Sequence, residues 1–260
     1  MVAMKHKMAE LHSDVHNFGG FVGYLKDWII SNLDHIPAEN HSIIELELKF
    51  GRVKRNDRDV LDKSKYTILP SNYRLIPSID KKTYDKIVKQ FYDGKAGFQV
   101  RDISKKTTLP PPLNKGRIRV DLNTNTLLES ISKERISNVL IKFPYSNYEC
   151  KLSLSIEHVI PIMAYPAFSN SKTFIREKKG YQFTVPRSRH RIDVSTVSTK
   201  TDSKKTHGAI NYELELEMST KRLLEYYRKE NYDAIEKEMS KFVQDSLRIK
   251  NLLKDKPRRK

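Results

Sequence analysis

The sequence predicts an α+β fold built on an antiparallel β-sheet whose strands carry one ionic and one apolar face, with helices packed against the apolar side. Three observations lead there. Six segments alternate apolar residues with ionic or small polar ones at a period of two, the pattern of strands with one greasy and one charged face. Other stretches repeat apolar residues at helical spacing. The nine glycines build neither GxxxxGK nor GxGxxG, which excludes P-loop and dinucleotide-type phosphate sites and leaves phosphate chemistry to side chains.

Taken in order, Ser13 or Asp14 caps a predicted helix over Ser13–Leu33 that carries Val15, Phe18, Val22, Leu25, Ile29 and Leu33 on one side, despite Gly19, Gly20 and Gly23. IIELELKFG then reads as a strand, Ile44, Leu46, Leu48 and Phe50 facing one way and Glu45, Glu47 and Lys49 the other. Leu69–Ser78, with Pro70 and Pro77, reads as a connector into a second helix, Asp80–Tyr92, whose apolar face is Tyr84, Ile87, Val88 and Phe91. Thr107–Asn114, containing Pro110–Pro112, reads as a loop. In RIRVDL, Arg117, Arg119 and Asp121 oppose Ile118, Val120 and Leu122. In ECKLSLSIE, Glu149, Lys151, Ser153, Ser155 and Glu157 oppose Leu152, Leu154 and Ile156. FIREK aligns Arg176 with Lys178, and HRIDVS aligns Arg191, Asp193 and Ser195 against Ile192 and Val194. YELELEM places Glu213, Glu215 and Glu217 opposite Tyr212, Leu214, Leu216 and Met218. A long C-terminal helix follows, with Ile235, Met239, Phe242, Ile249 and Leu253 on one side, and Lys254–Lys260 is a basic tail expected to be disordered. No internal repeat or long linker interrupts this order, so one domain over residues 1–260 is expected, its core at about 43–247.

Lys and Arg number 49 against 32 Asp and Glu, a formal charge of +17 that favours a phosphate-bearing polyanion as partner. A single cysteine, Cys150, excludes an internal disulfide, and without a His/Cys cluster there is no structural zinc site. No run of about 18 apolar residues is present, and Met1–Leu11 is charged, so neither membrane crossing nor secretion is expected.

For any one strand, a charged face turned to water is the plain explanation. The composition strains it, because Glu213, Glu215 and Glu217 stand in one row and Glu45 and Glu47 in another. Like charges so close repel, and a row of carboxylates calls for a cation. Arg and Lys on the same faces call for an anion. If the sheet closes with these faces inward, the interior is a charged tunnel with metal at the acidic wall and phosphate at the basic one. Mg²⁺ or Mn²⁺, hard ions that take oxygen ligands, suits the acidic wall. Phosphoryl transfer needs charge neutralisation and in-line placement, so hydrolysis by an activated water requires no covalent nucleophile; Cys150 alternates onto an apolar face.

Glu45-x-Glu47-x-Lys49 near the start and Glu213-x-Glu215-x-Glu217 near the end resemble the bracketing motifs of the triphosphate tunnel metalloenzymes. With the order of the segments between them, from about Ile43 to Leu247, the chain is similar to the fungal RNA triphosphatases of mRNA capping. That resemblance implies an eight-stranded antiparallel barrel and metal-dependent removal of the γ-phosphate from RNA 5′ ends. It implies Glu45, Glu47 and Glu217 as metal ligands, with Lys49, Arg119, Lys133, Arg176, Lys178 and Arg191 as triphosphate-binding residues. Glu157 matches a carboxylate that orients the attacking water, and Asp193, Ser195, Glu213 and Glu215 match supporting positions. Arg176-x-Lys178 reverses the family's Lys-x-Arg order, and Arg and Lys are not equivalent on phosphate, so these two roles are open to exchange.

The resemblance further implies a homodimer, a nuclear role, and partners among guanylyltransferase and the transcription machinery. The N-terminal extension by which some relatives bind guanylyltransferase is not expected in this chain. Two other functions fit the residues: a tunnel hydrolase acting on nucleoside triphosphate, tripolyphosphate or thiamine triphosphate, and a non-catalytic basic RNA-binding module. The net charge favours RNA over a small substrate, whereas sparse strand aromatics and glutamate-rich strands argue against a simple binding platform.

Overall fold

A computed structural model describes residues 17–54, 63–69, 73–93, 98–109, 116–121, 123–124, 126–159, 174–201 and 210–253. Helix α1 is Phe18–Leu33, and its cap is Asn17, whose side-chain oxygen accepts the Gly20 N–H at 2.7 Å. Ser13 and Asp14, expected as caps, lie outside the described residues, as does the Lys254–Lys260 tail. A 3-10 turn, Ala38–Ile43, leads into β1, Ile44–Lys54.

The Leu69–Ser78 connector is in part strand. Leu69 ends β2 (Thr67–Leu69), and Arg74–Ile76 forms β3. Leu75 lies opposite Val53 of β1 and packs with Leu69 and Leu140 in a small apolar cluster, which explains why this stretch pairs. Helix α2, Lys81–Tyr92, begins as expected at Asp80, which accepts the Thr83 N–H at 2.8 Å. The loop at Thr107–Asn114 is corrected in its first part. Strand β4 runs Gln99–Leu109, and Thr107 pairs with Arg119 on one side and Arg176 on the other; 110–115 lie outside the described residues.

Strands β5 (Gly116–Asp121), β6 (Leu127–Lys142), β7 (Glu149–Val159), β8 (Phe174–Thr184), β9 (Arg191–Thr201) and β10 (Asn211–Glu217) follow. The chain continues as α3, Lys221–Arg228, and α4, Tyr232–Leu252. The fold is thus α+β around a large antiparallel sheet, in the order β10-β9-β8-β4-β5-β6-β7-β1-β3, with β2 on β6. Strand β10 also pairs with β1, setting Glu47 opposite Glu217 and Lys49 opposite Glu215.

The apolar faces lie under helices. Leu46, Leu48 and Phe50 of β1, Leu152 and Leu154 of β7, and Leu214 and Leu216 of β10 are fully buried. They belong to one cluster with Phe21, Leu25 and Ile29 of α1 and Ile235, Met239 and Phe242 of α4. Each such side chain contributes about 1.5–3 kcal/mol by leaving water.

Between β8 and β9 the turn holds Arg187 at φ 71° and Arg189 at φ 59°, left-handed conformations that cost roughly 1–2 kcal/mol each for an L-residue. Asp245 of α4 secures the turn, accepting from the Ser188 hydroxyl at 2.9 Å and lying 2.9 Å from His190 Nδ1.

Leu48→Ala is predicted to lower the unfolding free energy by about 2–5 kcal/mol, because the strand face beneath the helices cannot collapse onto the gap. Urea denaturation measures it; a loss under about 0.5 kcal/mol, the range of a surface change, would show that this face is not core.

Candidate active site

Because side chains alternate along a strand, burying Leu46 and Leu48 under the helices turns Glu45, Glu47 and Lys49 to the opposite face. There they line a cavity of about 340 Å³. Glu215 and Glu217 of β10 extend the acidic side, while Arg119 of β5, Arg176 and Lys178 of β8 and Arg191 of β9 supply the basic side. Lys133 of β6, Glu157 of β7 and Asp193 of β9 line it as well. The structure therefore gathers all but two, Glu213 and Ser195, of the site residues expected from sequence. Glu213 is not in the lining, but its carboxylate accepts a hydrogen bond from Arg176 Nη2. Ser195, opposite Glu213 in the β9–β10 register, is fully buried, and its hydroxyl has no hydrogen-bond partner among the described residues.

Two lining residues were not anticipated. Glu129 of β6 accepts from Arg119, and Gln182 of β8 donates to Asp193 Oδ1 at 3.0 Å. Arginine at 119 on an inward position was itself a signal that a carboxylate should stand opposite, and Glu129 is its register partner on β6.

The charges are joined in one network. Lys49 Nζ lies 2.5 Å from Glu215 Oε1 and 2.7 Å from Glu47 Oε1. Lys178 Nζ lies 2.7 Å from Glu215 Oε2 and 3.0 Å from Asp193 Oδ2. Lys133 pairs with Glu45, stands 3.4 Å from Glu47 and is 3.8 Å from Glu157, which also meets Arg119 at 3.5 Å. Arg191 pairs with Glu217.

Burial shapes the ionisation of these groups. It is the largest influence on Lys49 and Lys178 and opposes their charge, but the carboxylates together outweigh it, Glu215 and Glu47 at Lys49 and Glu215 and Asp193 at Lys178, so both ammonium pKa values are raised. Burial likewise works against the Glu215 carboxylate, yet Lys178 and Lys49 hold its pKa well below the usual value. At Glu47 burial and the neighbouring Glu215 prevail, and the pKa is raised. Lys151, directly opposite Lys49 on β7, is lowered by burial and by the charges of Arg135 and Lys49.

The donor set Glu45, Glu47 and Glu217 suits a hard cation, since it offers only carboxylate oxygens. Glu47 and Glu217 face each other across β1 and β10, and Glu45 lies two residues along the same strand face. Residue type and register fit such an ion. In the side-chain arrangement seen, Lys133, Lys49 and Arg191 take its place, and among the described residues no three acidic, histidine or cysteine groups are gathered to hold a metal.

Comparison with known proteins gives one consistent answer. The family described as mRNA capping enzyme, beta chain, matches residues 16–255. The mRNA-capping enzyme subunit beta of Kluyveromyces lactis is 25% identical over 241 residues, covering 82% of this chain and 42% of that protein. Its Candida albicans counterpart is 27% identical over 253 residues, covering 88% and 45%. The chain thus spans less than half the length of these curated relatives. Among solved structures, the S. pombe Pct1 RNA triphosphatase superposes with a TM-score of 0.71 at 16% identity, covering 88% of this chain and 92% of that one. The RNA triphosphatase domain of a mimivirus mRNA capping enzyme gives a TM-score of 0.52 at 16% identity, covering 88% and 95%. At such identities the likeness is one of fold.

The Glu215–Lys178 pair generates a pH prediction. A carboxylate held below its ordinary pKa of about 4.3 adds stability that is fully present above that value and is lost as pH falls through the depressed one. Lys178→Met removes the strongest attraction on Glu215, so its proton uptake moves to higher pH, and the acid limb of stability moves with it. Near neutral pH the stranded carboxylates should cost about 3–5 kcal/mol. Thermal melting followed from neutral to acid pH measures both, and superimposable acid limbs would show that this pair does not govern them.

Proposed function

The chain belongs to the mRNA capping enzyme beta-chain family, and from that premise we propose that it hydrolyses the γ-phosphate of 5′-triphosphate-ended RNA. The observation that carries the reading is the cavity lined by carboxylates of β1 and β10 together with arginines and lysines of β5, β8 and β9. The strand pairings support an eight-stranded barrel around it: β1, β7, β6, β5, β4, β8, β9 and β10 follow one another, and β10 returns to β1. We further propose a single domain over residues 1–260, with helices outside.

Hydrolysis places a water oxygen on the γ-phosphorus and breaks its bond to the oxygen bridging the β-phosphate, yielding diphosphate-ended RNA and inorganic phosphate. Arg119, Arg176, Lys178 and Arg191, with Lys49 and Lys133, would bind the triphosphate oxygens and neutralise charge that grows in the transition state. Glu157, close to both Arg119 and Lys133, would orient the attacking water and accept its proton. Glu213, Glu215 and Asp193 hold Arg176 and Lys178 in place. Glu45, Glu47 and Glu217 would hold Mg²⁺ or Mn²⁺, which when bound supplies Lewis-acid stabilisation of phosphoryl oxygens.

The role implies nuclear work during mRNA synthesis. The family, described as the beta chain of a capping enzyme, supports a guanylyltransferase partner. The Pct1 RNA triphosphatase, whose fold this chain shares, has been solved in complex with the Spt5 CTD, which supports a contact with the transcription machinery. A homodimer is also proposed.

The test is release of labelled phosphate from γ-labelled triphosphate RNA in Mg²⁺ and in Mn²⁺. Glu47→Gln and Glu217→Gln are each expected to lower turnover by at least about 10²-fold, as loss of a strong electrostatic contributor does. Melting should move far less, since both side chains sit in a polar cavity rather than the apolar core. Intact RNA at high wild-type enzyme would remove the catalytic reading, and unfolding of both variants would remove the ligand assignment.

A further inference from the structure

The turn joining β8 to β9 presents a basic feature that the cavity chemistry does not use. It precedes Arg191, which lines the cavity and has 48% of its side chain exposed, so the turn lies at the cavity rim. Arg187 and Arg189 are exposed on it. Both adopt left-handed backbone, at φ 71° and 59°. A turn needing that conformation is ordinarily built with glycine or asparagine, which adopt it without steric conflict. Arginine stands at both positions against local preference, and such strain persists where surrounding structure enforces it and clusters at functional sites.

The enforcing structure is specific. Arg189 N–H donates to the Val185 carbonyl at 3.0 Å, and Val185 N–H donates to the His190 carbonyl at 2.8 Å. Buried Asp245 of α4 takes the Ser188 hydroxyl and His190 Nδ1, each at 2.9 Å, and Arg248 Nη1 at 3.1 Å. His190 is wholly buried and packs edge-on against Phe242, ring centres 5.4 Å apart. Arg248 keeps 74% of its side chain exposed beside the same carboxylate. Unlike the cavity cations, neither Arg187 nor Arg189 is ion-paired among the described residues.

We propose that this turn is a clamp for the RNA backbone, in which Arg187 and Arg189 bind phosphodiester groups that follow the 5′ triphosphate. The proposal rests on the RNA 5′-triphosphatase reading and extends it from the reacting end to the chain behind it. Arginine suits the role because its planar fork meets two phosphate oxygens at once and stays charged at any working pH. From Arg191 to Arg189 the chain covers about 7 Å when extended, so an RNA leaving the cavity past Arg191 would come within reach of the turn. A free tripolyphosphate has no atoms to place there. The clamp therefore raises affinity for RNA without reading its sequence, since phosphate contacts carry no base information.

The experiment compares the full chain with an Arg187→Ala/Arg189→Ala double variant, using a short triphosphate-ended oligoribonucleotide and inorganic tripolyphosphate as probes. The double variant should bind RNA more weakly, with the log–log salt slope reduced by about 1.4, the share of two single-strand phosphate contacts. Its KM for RNA should rise several-fold and equally across RNA sequences, while tripolyphosphate turnover stays at the wild-type level. An Arg187→Gln/Arg189→Gln pair gives the same comparison should the alanine pair fold poorly. An unchanged salt slope, or an equal loss on tripolyphosphate, would overturn the clamp. Wild-type enzyme that releases no phosphate from RNA would instead overturn the catalytic reading, and the binding slopes would still decide the clamp.

Discussion

Everything in this fold depends on pairing charge with charge inside a partly desolvated cavity. An isolated ion removed from water is strongly unfavourable, so an ionic interior persists only where each group finds an opposite partner. Strand register provides those partners. Lys49 faces Glu215 across β1 and β10 and Arg191 faces Glu217 across β9 and β10, while Lys178 bridges the like-charged neighbours Glu215 and Asp193 and Lys49 reaches Glu47, which faces Glu217. Sliding β10 by one residue would send its glutamates under the helices and its leucines into the cavity, because alternate side chains exchange faces. The apolar layer and the ionic network thus enforce the same register.

The outer layer has its own demands. The greasy strand faces need cover, and α1 and α4, from opposite ends of the chain, provide it together, tied by the Lys26–Glu236 pair at 2.9 Å. Close strand packing adds a further constraint at Gly180. A Cβ there would stand 2.1 Å from the Val194 carbonyl oxygen, so β8 and β9 approach in a way no side chain at 180 would permit. This approach lies between Lys178 and Gln182, the two β8 positions whose side chains meet Asp193.

Legibility in the sequence followed from these same physics. The alternation was plain in β1, β5, β7, β9 and β10, where one face is uniformly ionic or polar and the other aliphatic. It was hidden in β6, where a bulge between Arg135 and Ser137 shifts the phase. Before it Ile131 and Lys133 share a face; beyond it Val139 and Ile141 fall on the opposite one, within the helix-covered cluster. Glu129 was lost with that strand. Strand β4 mixes charge on both faces, Arg101 and Asp102 both being exposed, and its last residues run into the proline-rich sequence that follows. Gln182 escaped notice because Gly180 interrupts the pattern of β8 after Lys178, and α3 because eight residues offer little periodicity. The ligand candidates Glu45, Glu47 and Glu217, which sit in regularly alternating stretches, were the readable part.

Under the proposed function the cavity's charge balance has a consequence for how substrate is accepted. Its lining carries seven carboxylates against six arginines and lysines, so with all groups ionised it offers no net attraction for a polyphosphate. The cations are also committed, Lys133 to Glu45 and Glu47, Arg191 to Glu217, and Lys178 to Glu215 and Asp193. A triphosphate can be held there only by an exchange of partners. A divalent cation on Glu45, Glu47 and Glu217 would satisfy the carboxylates that now occupy Lys133 and Arg191, and those side chains would then be available to phosphate oxygens. Lys178 and Lys49 would stay anchored by Glu215 and so keep their positions. Binding of metal and of triphosphate should then be mutually favourable, each relieving the charge the other leaves unmatched. The long-range attraction for RNA must come from outside the cavity, from the surface that gives the chain its +17.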